Sequence, residues 1–293
     1  MASLADFEDH RQRLWAVAYR ITGSVADADD AVQEAWLRWQ HLPDGEAVNP
    51  GAYLTTIVSR ICFDQLGSAR SRRETYVGPW LPEPVVGDVP SPEDQVTLDE
   101  SVGIALMAVL ERLTPAERTA FILHDVFSVP FGEIAEVVGR TPVSVRQLAA
   151  RARKRVRAEA PRRSVDRDEH RRTVEAFLAA AMDGDLDALM ETLDPEVIWV
   201  SDGGGKVSAA RRPLHGREKV ARYAQGVYGY GAAEGRTLRA FVRDVNGAPG
   251  LILTDPVRGR TSVLAFTVHE GRITEVDAVA NPEKLRHVDP GTL

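Results

Sequence analysis

One cysteine, Cys62, stands in 293 residues, so the chain closes no internal disulfide and builds no cysteine-lined zinc site. Its seven histidines include no His-Glu-x-x-His arrangement, and no metal or other cofactor is expected. No apolar run approaches the roughly 20 residues that span a bilayer. The stretch Met1 to Arg13 carries Asp6, Glu8 and Asp9 before any apolar segment, which is not the pattern of a secretory signal. These absences lead us to expect a cytoplasmic protein with no membrane partner. There is no internal repeat.

The chain also lacks an excess of positive charge. A formal net charge of −7 argues against indiscriminate coating of nucleic acid, but local binding depends on how charge is distributed. Between Val25 and Glu46 lie Asp27, Asp29, Asp30, Glu34, Asp44 and Glu46 against Arg38 alone. Between Arg146 and Arg163 lie Arg146, Arg151, Arg153, Lys154, Arg155, Arg157, Arg162 and Arg163 against Glu159 alone. An acidic face and a basic stripe imply two different partners.

Hydrophobic periodicity makes the first part of the chain helical. Leu14, Val17, Ala18 and Ile21 form one stripe, and Leu54, Ile57, Val58 and Ile61 another. Between them Ser24 can cap a helix whose first turns hold Asp27, Asp29 and Asp30, suited to its positive end. Pro79, Pro82, Pro84, Pro90 and Pro92 then mark an extended linker. Further on, Thr114-Pro115-Ala116-Glu117 spells a capping box with proline at the first helical position. A short helix over Phe131–Val138, a turn at Gly139 and a helix opened by Thr141-Pro142 complete a helix-turn-helix pattern. Val145, Leu148, Ala149, Ala152 and Val156 face inward there, while Gln147, Arg151 and Lys154 face outward. Such an element supplies donors for base edges, from Ser144, Arg146 and Gln147, and cations for phosphates, from Arg151, Arg153 and Lys154.

After a charged connection over Pro161 to Asp168 the signal changes. A helix at Thr173–Met182 and a short one at Leu186–Leu193 precede strands at Val197–Val200, Leu251–Thr254 and Val263–Val268. A turn at His269-Glu270-Gly271 leads into a strand over Ile273–Ala280. Helices first and strands later predict an α+β domain.

Several of these segments resemble a known family. Asp27-Ala28-Asp29-Asp30-Ala31-Val32-Gln33-Glu34-Ala35-Trp36-Leu37-Arg38 resembles region 2.2 of the extracytoplasmic-function (ECF) sigma factors of RNA polymerase. Asn49-Pro50-Gly51-Ala52-Tyr53-Leu54-Thr55-Thr56-Ile57 resembles their next helix. Leu113-Thr114-Pro115-Ala116-Glu117-Arg118, Phe131-Gly132-Glu133-Ile134-Ala135 and Val143-Ser144-Val145-Arg146 resemble region 4. Trp80-Leu81-Pro82-Glu83-Pro84, Asp202-Gly203-Gly204-Gly205-Lys206 and Asn281-Pro282-Glu283-Lys284-Leu285 are similar to the SigJ-type subgroup, whose C-terminal domain is SnoaL-like. Gly67-Ser68-Ala69 departs from the more basic end of the region 2 helix in many relatives.

The resemblance implies two all-α sigma domains, a region 2 helical bundle over residues 1–78 and a region 4 helix-turn-helix over 103–163. They are joined by a linker over 79–102 and followed by an α+β SnoaL-like cone over 164–293. It implies that Asp27, Asp30, Gln33 and Glu34 dock on the β′ clamp of core RNA polymerase, and that the β flap is a further contact. Asn49, Tyr53, Arg60, Asp64 and Arg70 would meet the promoter −10 element. Ser144, Arg146, Gln147, Arg151, Arg153 and Lys154 would meet the −35 element. Two modules on one tether help each other only if the tether spans their sites, so a domain that clamps it controls them both. Trp80, Leu81, Pro82, Asp202, Gly203, Gly204, Gly205, Lys206, Asn281, Pro282, Lys284 and Leu285 are assigned to that regulation, with no separate anti-sigma factor expected.

A competing reading makes the cone a small-ligand sensor or isomerase-like enzyme fused to a DNA-binding regulator. Its general base and oxyanion donor would come from Asp202, Tyr223, Tyr228, Tyr230, His215 or Asp277. No motif decides it, and no catalytic residue is expected. A repressor acting without polymerase is a second alternative. Gly203-Gly204-Gly205-Lys206 is not a phosphate loop, because Val200 and Val207 stand where that motif needs glycine and a hydroxyl residue.

Overall fold

A computed structural model describes residues 4–43, 47–73, 76–87, 103–159, 166–228 and 238–288. These fall into two compact units, one holding residues 4–73 and 109–159, the other 76–87, 103–108 and 166–288. Among the described residues no helix is long and apolar enough to cross a membrane.

The first unit is all-helical. Helices α1 (Leu4–Thr22), α2 (Val25–Gln40) and α3 (Pro50–Arg73) pack on one another. Phe7, Leu14, Val17, Val32, Leu54 and Val58 are among their buried contacts. Ser24 caps α2 by accepting from the Asp27 N–H at 3.1 Å. A seven-residue helix α4 (Ile104–Leu110) then crosses the unit boundary, residues 104–108 counting with the second unit. Helix α5 (Pro115–Phe121) opens on the predicted capping box and continues through a π-turn (Ile122–Val126). Helix α6 (Phe131–Val138) ends at Gly139, whose left-handed φ of 64° turns the chain into α7 (Pro142–Glu159). Helices α6 and α5 pack on α3, so both helical blocks share this unit.

The second unit is an α+β cone, its first helices ahead of its strands, as the sequence order predicts. Helices α8 (Arg167–Asp183), α9 (Leu186–Glu191) and α10 (Arg217–Tyr228) wrap one face of a six-stranded sheet. Its strands are β1 (Leu193–Asp202), β2 (Leu214–His215), β3 (Arg239–Val245), β4 (Ala248–Asp255), β5 (Arg260–His269) and β6 (Arg272–Val279). They run in the order β2-β1-β6-β5-β4-β3, with β1 parallel to β6 and the other pairings antiparallel. Two-residue turns with both φ angles positive, Asn246-Gly247 and Glu270-Gly271, close the β3–β4 and β5–β6 hairpins.

Strand alternation gives this sheet two buried faces. Trp199, Leu251, Leu253, Leu264, Phe266 and Val276 face the helices. On the reverse, Val245, Ile252, Val263 and Val279 are covered by Leu81, Ile104, Leu285 and Val288. The described part of the proline-rich segment, Tyr76 to Gly87, has no helix and lies on this face, while Pro90, Pro92 and the rest of the linker to residue 102 fall outside the described residues. The Gly87 end of that part adds to the sheet edge, where Val86 bridges to Val245 and Val85 exchanges hydrogen bonds with Asn246.

Candidate polymerase, promoter and connector interfaces

On α2 the acidic residues stand opposite the packed side. Ala28, Ala31, Val32, Ala35 and Trp39 are buried, while Asp30, Gln33 and Glu34 are exposed and Asp27 is half-buried. Leu37, half exposed, adds an apolar spot, and Glu34 pairs with Arg38. Trp39 belongs to the core, its ring tilted against that of Tyr53 with centroids 6.0 Å apart.

Asn49, Tyr53, Arg60 and Asp64 recur at 4, 7 and 4 residues, so they share one side of α3. Their surroundings differ. Asn49 accepts from the Ala52 N–H at 3.1 Å and caps the helix. Tyr53 is half-buried, Asp64 is exposed, and Arg60 donates to the Glu136 carbonyl of α6 at 2.9 Å. Arg70 lies in the last turns of α3, its side chain outside the described residues.

On α7, Val145, Leu148, Ala149 and Ala152 are buried, which turns Val143, Gln147, Ala150 and Lys154 outward. Ser144 closes the cap, its N–H donating to Thr141 Oγ1 at 3.3 Å. The basic residues are not equivalent. Arg151 pairs with Glu117 at 3.1 Å, Arg153 with Asp125 at 2.9 Å and Arg155 with Glu159 at 3.2 Å, and the Arg146 guanidinium sits 5.3 Å over the Phe131 ring. Burial opposes ionisation of Glu117, but Thr114 and Arg151 outweigh it and hold the carboxyl below its usual range. Gln147 and Lys154 project with no such side-chain partner among the described residues.

The second unit gathers most of its sequence-assigned residues around one buried carboxylate. Asp202, at the end of β1, has no exposed surface. Its Oδ2 accepts from the Leu81 N–H at 2.8 Å and from Lys284 Nζ at 2.7 Å, and Lys284 also donates to the Leu81 carbonyl. The Lys284 ammonium lies 3.8 Å from the Trp80 ring centre and 5.0 Å from that of Tyr76. Asp202 Oδ1 accepts from the Tyr76 hydroxyl at 2.5 Å, and Asn281 Nδ2 donates to the same hydroxyl at 2.8 Å. Burial and then the Asp202 carboxylate push the Tyr76 phenol up.

The glycines make room for this cluster. A Cβ on Gly204 would stand 2.3 Å from Asn281 Nδ2 and 2.9 Å from the Tyr76 hydroxyl, and one on Gly205 would stand 3.1 Å from Val77. Both have left-handed φ, at 57° and 71°. Pro82 is buried, Leu285 joins the apolar cluster around Leu81, and Pro282 is exposed. Lys206 pairs at the surface with Glu283. Tyr76 carries no sequence signal of its own, and only its position before Trp80 hints at its part.

The isomerase candidates do not converge. Tyr223 stands edge-on to Trp199 on the helix-facing side, its hydroxyl accepting from the Ala210 N–H. Asp202 and Asp277 point to the opposite face of the sheet, Asp277 in line with Val200 and Ala265. Burial, then neighbouring Glu275, push the Asp277 carboxyl well up. His215 lies exposed on β2. The Tyr228 side chain and Tyr230 fall outside the described residues. A cavity of about 130 Å³ lies between Val77–Pro79 and the loop from Gly203 to Arg211, at the edge of the cone.

The family model for Sigma-70 region 2 matches residues 7–72, and that for Sigma-70, region 4 matches residues 104–156. The chain is 46% identical over 291 residues to the ECF RNA polymerase sigma factor SigJ of Mycobacterium tuberculosis, spanning 96% of this chain and 93% of that one. It is 33% identical over 294 residues to the probable ECF RNA polymerase sigma factor SigI of the same species, spanning 96% and 94%. The crystal structure of M. tuberculosis SigJ superposes with a TM-score of 0.77 at 40% identity, covering 97% of this chain and 98% of that one.

Proposed function

The chain belongs to the ECF RNA polymerase sigma factors, and from that membership we propose that its C-terminal cone regulates initiation by holding the segment between regions 2 and 4. As a sigma factor it binds core RNA polymerase and directs it to promoter DNA. On this reading the exposed acids of α2 meet the polymerase, where complementary charge sets register and encounter rate. Asn49, Tyr53, Arg60, Asp64 and Arg70 serve the −10 element, and α7 the −35 element. The protein works in the cytoplasm, without catalysis of its own, and its fused domain takes the place of a separate anti-sigma protein.

The observation that carries the regulatory reading is the Asp202–Lys284 pair closed around the Leu81 peptide group. Every polar group of that cluster comes either from residues 76–81 or from the cone. While it is closed, residues 76–87 are tied to the cone and do not serve as a free tether between regions 2 and 4. Reconstituted transcription with core polymerase tests it. Asp202→Ala should change promoter-dependent transcript yield severalfold at equal sigma concentration. Unchanged transcription together with unchanged polymerase binding would reject the regulatory role.

A further inference from the structure

We propose that Val143 is a base-reading residue, its side-chain methyls meeting the C5 methyl of a thymine in the −35 element. The inference rests on the assignment of α7 to that element and goes beyond it to one residue and one chemical group.

Val143 is 63% exposed, in the first turn of α7. The helix packs through Val145, Leu148, Ala149 and Ala152, so at 100° per residue its outermost line is Val143, Gln147, Ala150 and Lys154. An apolar side chain on that line, in the turn that enters the major groove first, gains nothing from water or from the fold. In the groove the one apolar group that distinguishes a base pair is the thymine methyl. Gln147, one turn further in, offers a donor and an acceptor for an adjacent base. Ala150, small and exposed, allows the helix axis to come close, and Lys154 is left for a phosphate.

The arginines around this line are otherwise engaged. Arg151, Arg153 and Arg155 form ion pairs within the unit, and Arg146 lies over Phe131. Direct reading therefore falls to the outward line rather than to the basic flanks.

The test uses the full chain as holoenzyme with core polymerase. Its preferred −35 sequence is selected from randomised promoters, and each thymine is then replaced singly by uracil, which removes only the methyl. One such replacement should weaken promoter binding about fourfold for the wild type, the factor expected for burying one methyl group. Val143→Ala should weaken binding to the thymine promoter by a similar factor and leave it indifferent to that uracil. Alanine favours helix more than valine does, so the variant keeps its fold.

The inference is overturned if both proteins respond alike to every uracil, or if Val143→Ala selects the same sequence with the same affinity. In either case an intact, promoter-selective holoenzyme would leave the sigma-factor assignment standing. Failure to form holoenzyme would instead remove that assignment.

Discussion

Each unit of this protein ties distant stretches of chain together through a buried cation, and the two cations are provided for differently. In the cone, Lys284 meets the Asp202 carboxylate, the Leu81 carbonyl and the Trp80 ring face. In the helical unit, Arg118 pairs with Glu111 and reaches the Arg20 carbonyl with two nitrogens, at 3.2 and 3.4 Å. Beside it the Arg20 guanidinium is itself buried over the Phe127 ring, and its Nη1 finds no acceptor among the described residues. Burial works against the charge of both guanidiniums. A buried donor without an acceptor costs about 1–3 kcal/mol, and opening to water recovers it. The two junctions therefore differ in what they lose on opening: the helical blocks part at a discount, and the cone releases residues 76–81 only at full cost.

Removing the shared carboxylate should give the largest effect. Asp202→Ala strands a buried ammonium, the Leu81 N–H and the Tyr76 hydroxyl together. A loss of about 3–5 kcal/mol from the cone is expected, the scale for breaking a buried ion pair from one side. Denaturant unfolding measures it, and hydrogen exchange at Leu81 shows whether the connector goes free while the sheet persists. A loss below about 1 kcal/mol would erase the contrast between the two junctions.

Replacing each pair outright sharpens the same contrast on a smaller scale. Arg118→Met with Glu111→Leu exchanges a buried ion pair for apolar volume and strands one group, the Arg20 carbonyl, so the helical unit should lose no more than about 1–3 kcal/mol. Asp202→Leu with Lys284→Met should destabilise the cone by more, because both the N–H and the carbonyl of Leu81 lose their partners and the Tyr76 hydroxyl loses its acceptor. Equal outcomes for the two double variants, read by thermal and denaturant unfolding, would show that hydrogen-bond completion is not what separates the junctions.

Local chemistry announced much of this architecture. The capping box at Thr114, the Gly139 turn and the inward stripe of α7 are short-range patterns, and the helices follow them. The Asp202, Trp80 and Asn281 motifs stood out as sequence, but their meeting depends on β1 pairing with β6, a parallel contact between stretches some 75 residues apart, which no local pattern encodes. Strand β3 has little signal of its own beside the strong hairpin dipeptide Asn246-Gly247, since it carries Arg239, Arg243 and Asp244. Helix α10 is faint in the sequence for a similar reason: its buried Val220, Ala221 and Ala224 sit among charged and small residues that dilute the helical period. The ion pairs of Arg151 with Glu117 and Arg153 with Asp125 have no local signal, because their partners lie some 30 residues earlier in the chain.

The smallest effects expected concern pH, and here the units should move in opposite senses. The Glu117 carboxyl is held below its usual range in the folded state, so the folded chain releases its proton more readily than the unfolded one. That contribution is present above the unfolded value of 4.5 and fades as pH falls through the folded one. Asp277 is the reverse: burial and Glu275 raise its folded value, so the folded cone holds the proton longer. Stability of the cone should fall as pH rises from the unfolded value of 3.8 through the folded one. Glu117→Gln should flatten the acid side of the helical unit's profile and Asp277→Asn the falling limb of the cone's, raising the cone's unfolding midpoint at neutral pH. Unfolding followed from pH 3 to 8 by hydrogen exchange resolves the two units, and profiles that run in parallel would mean that one of these carboxyls is not placed as described.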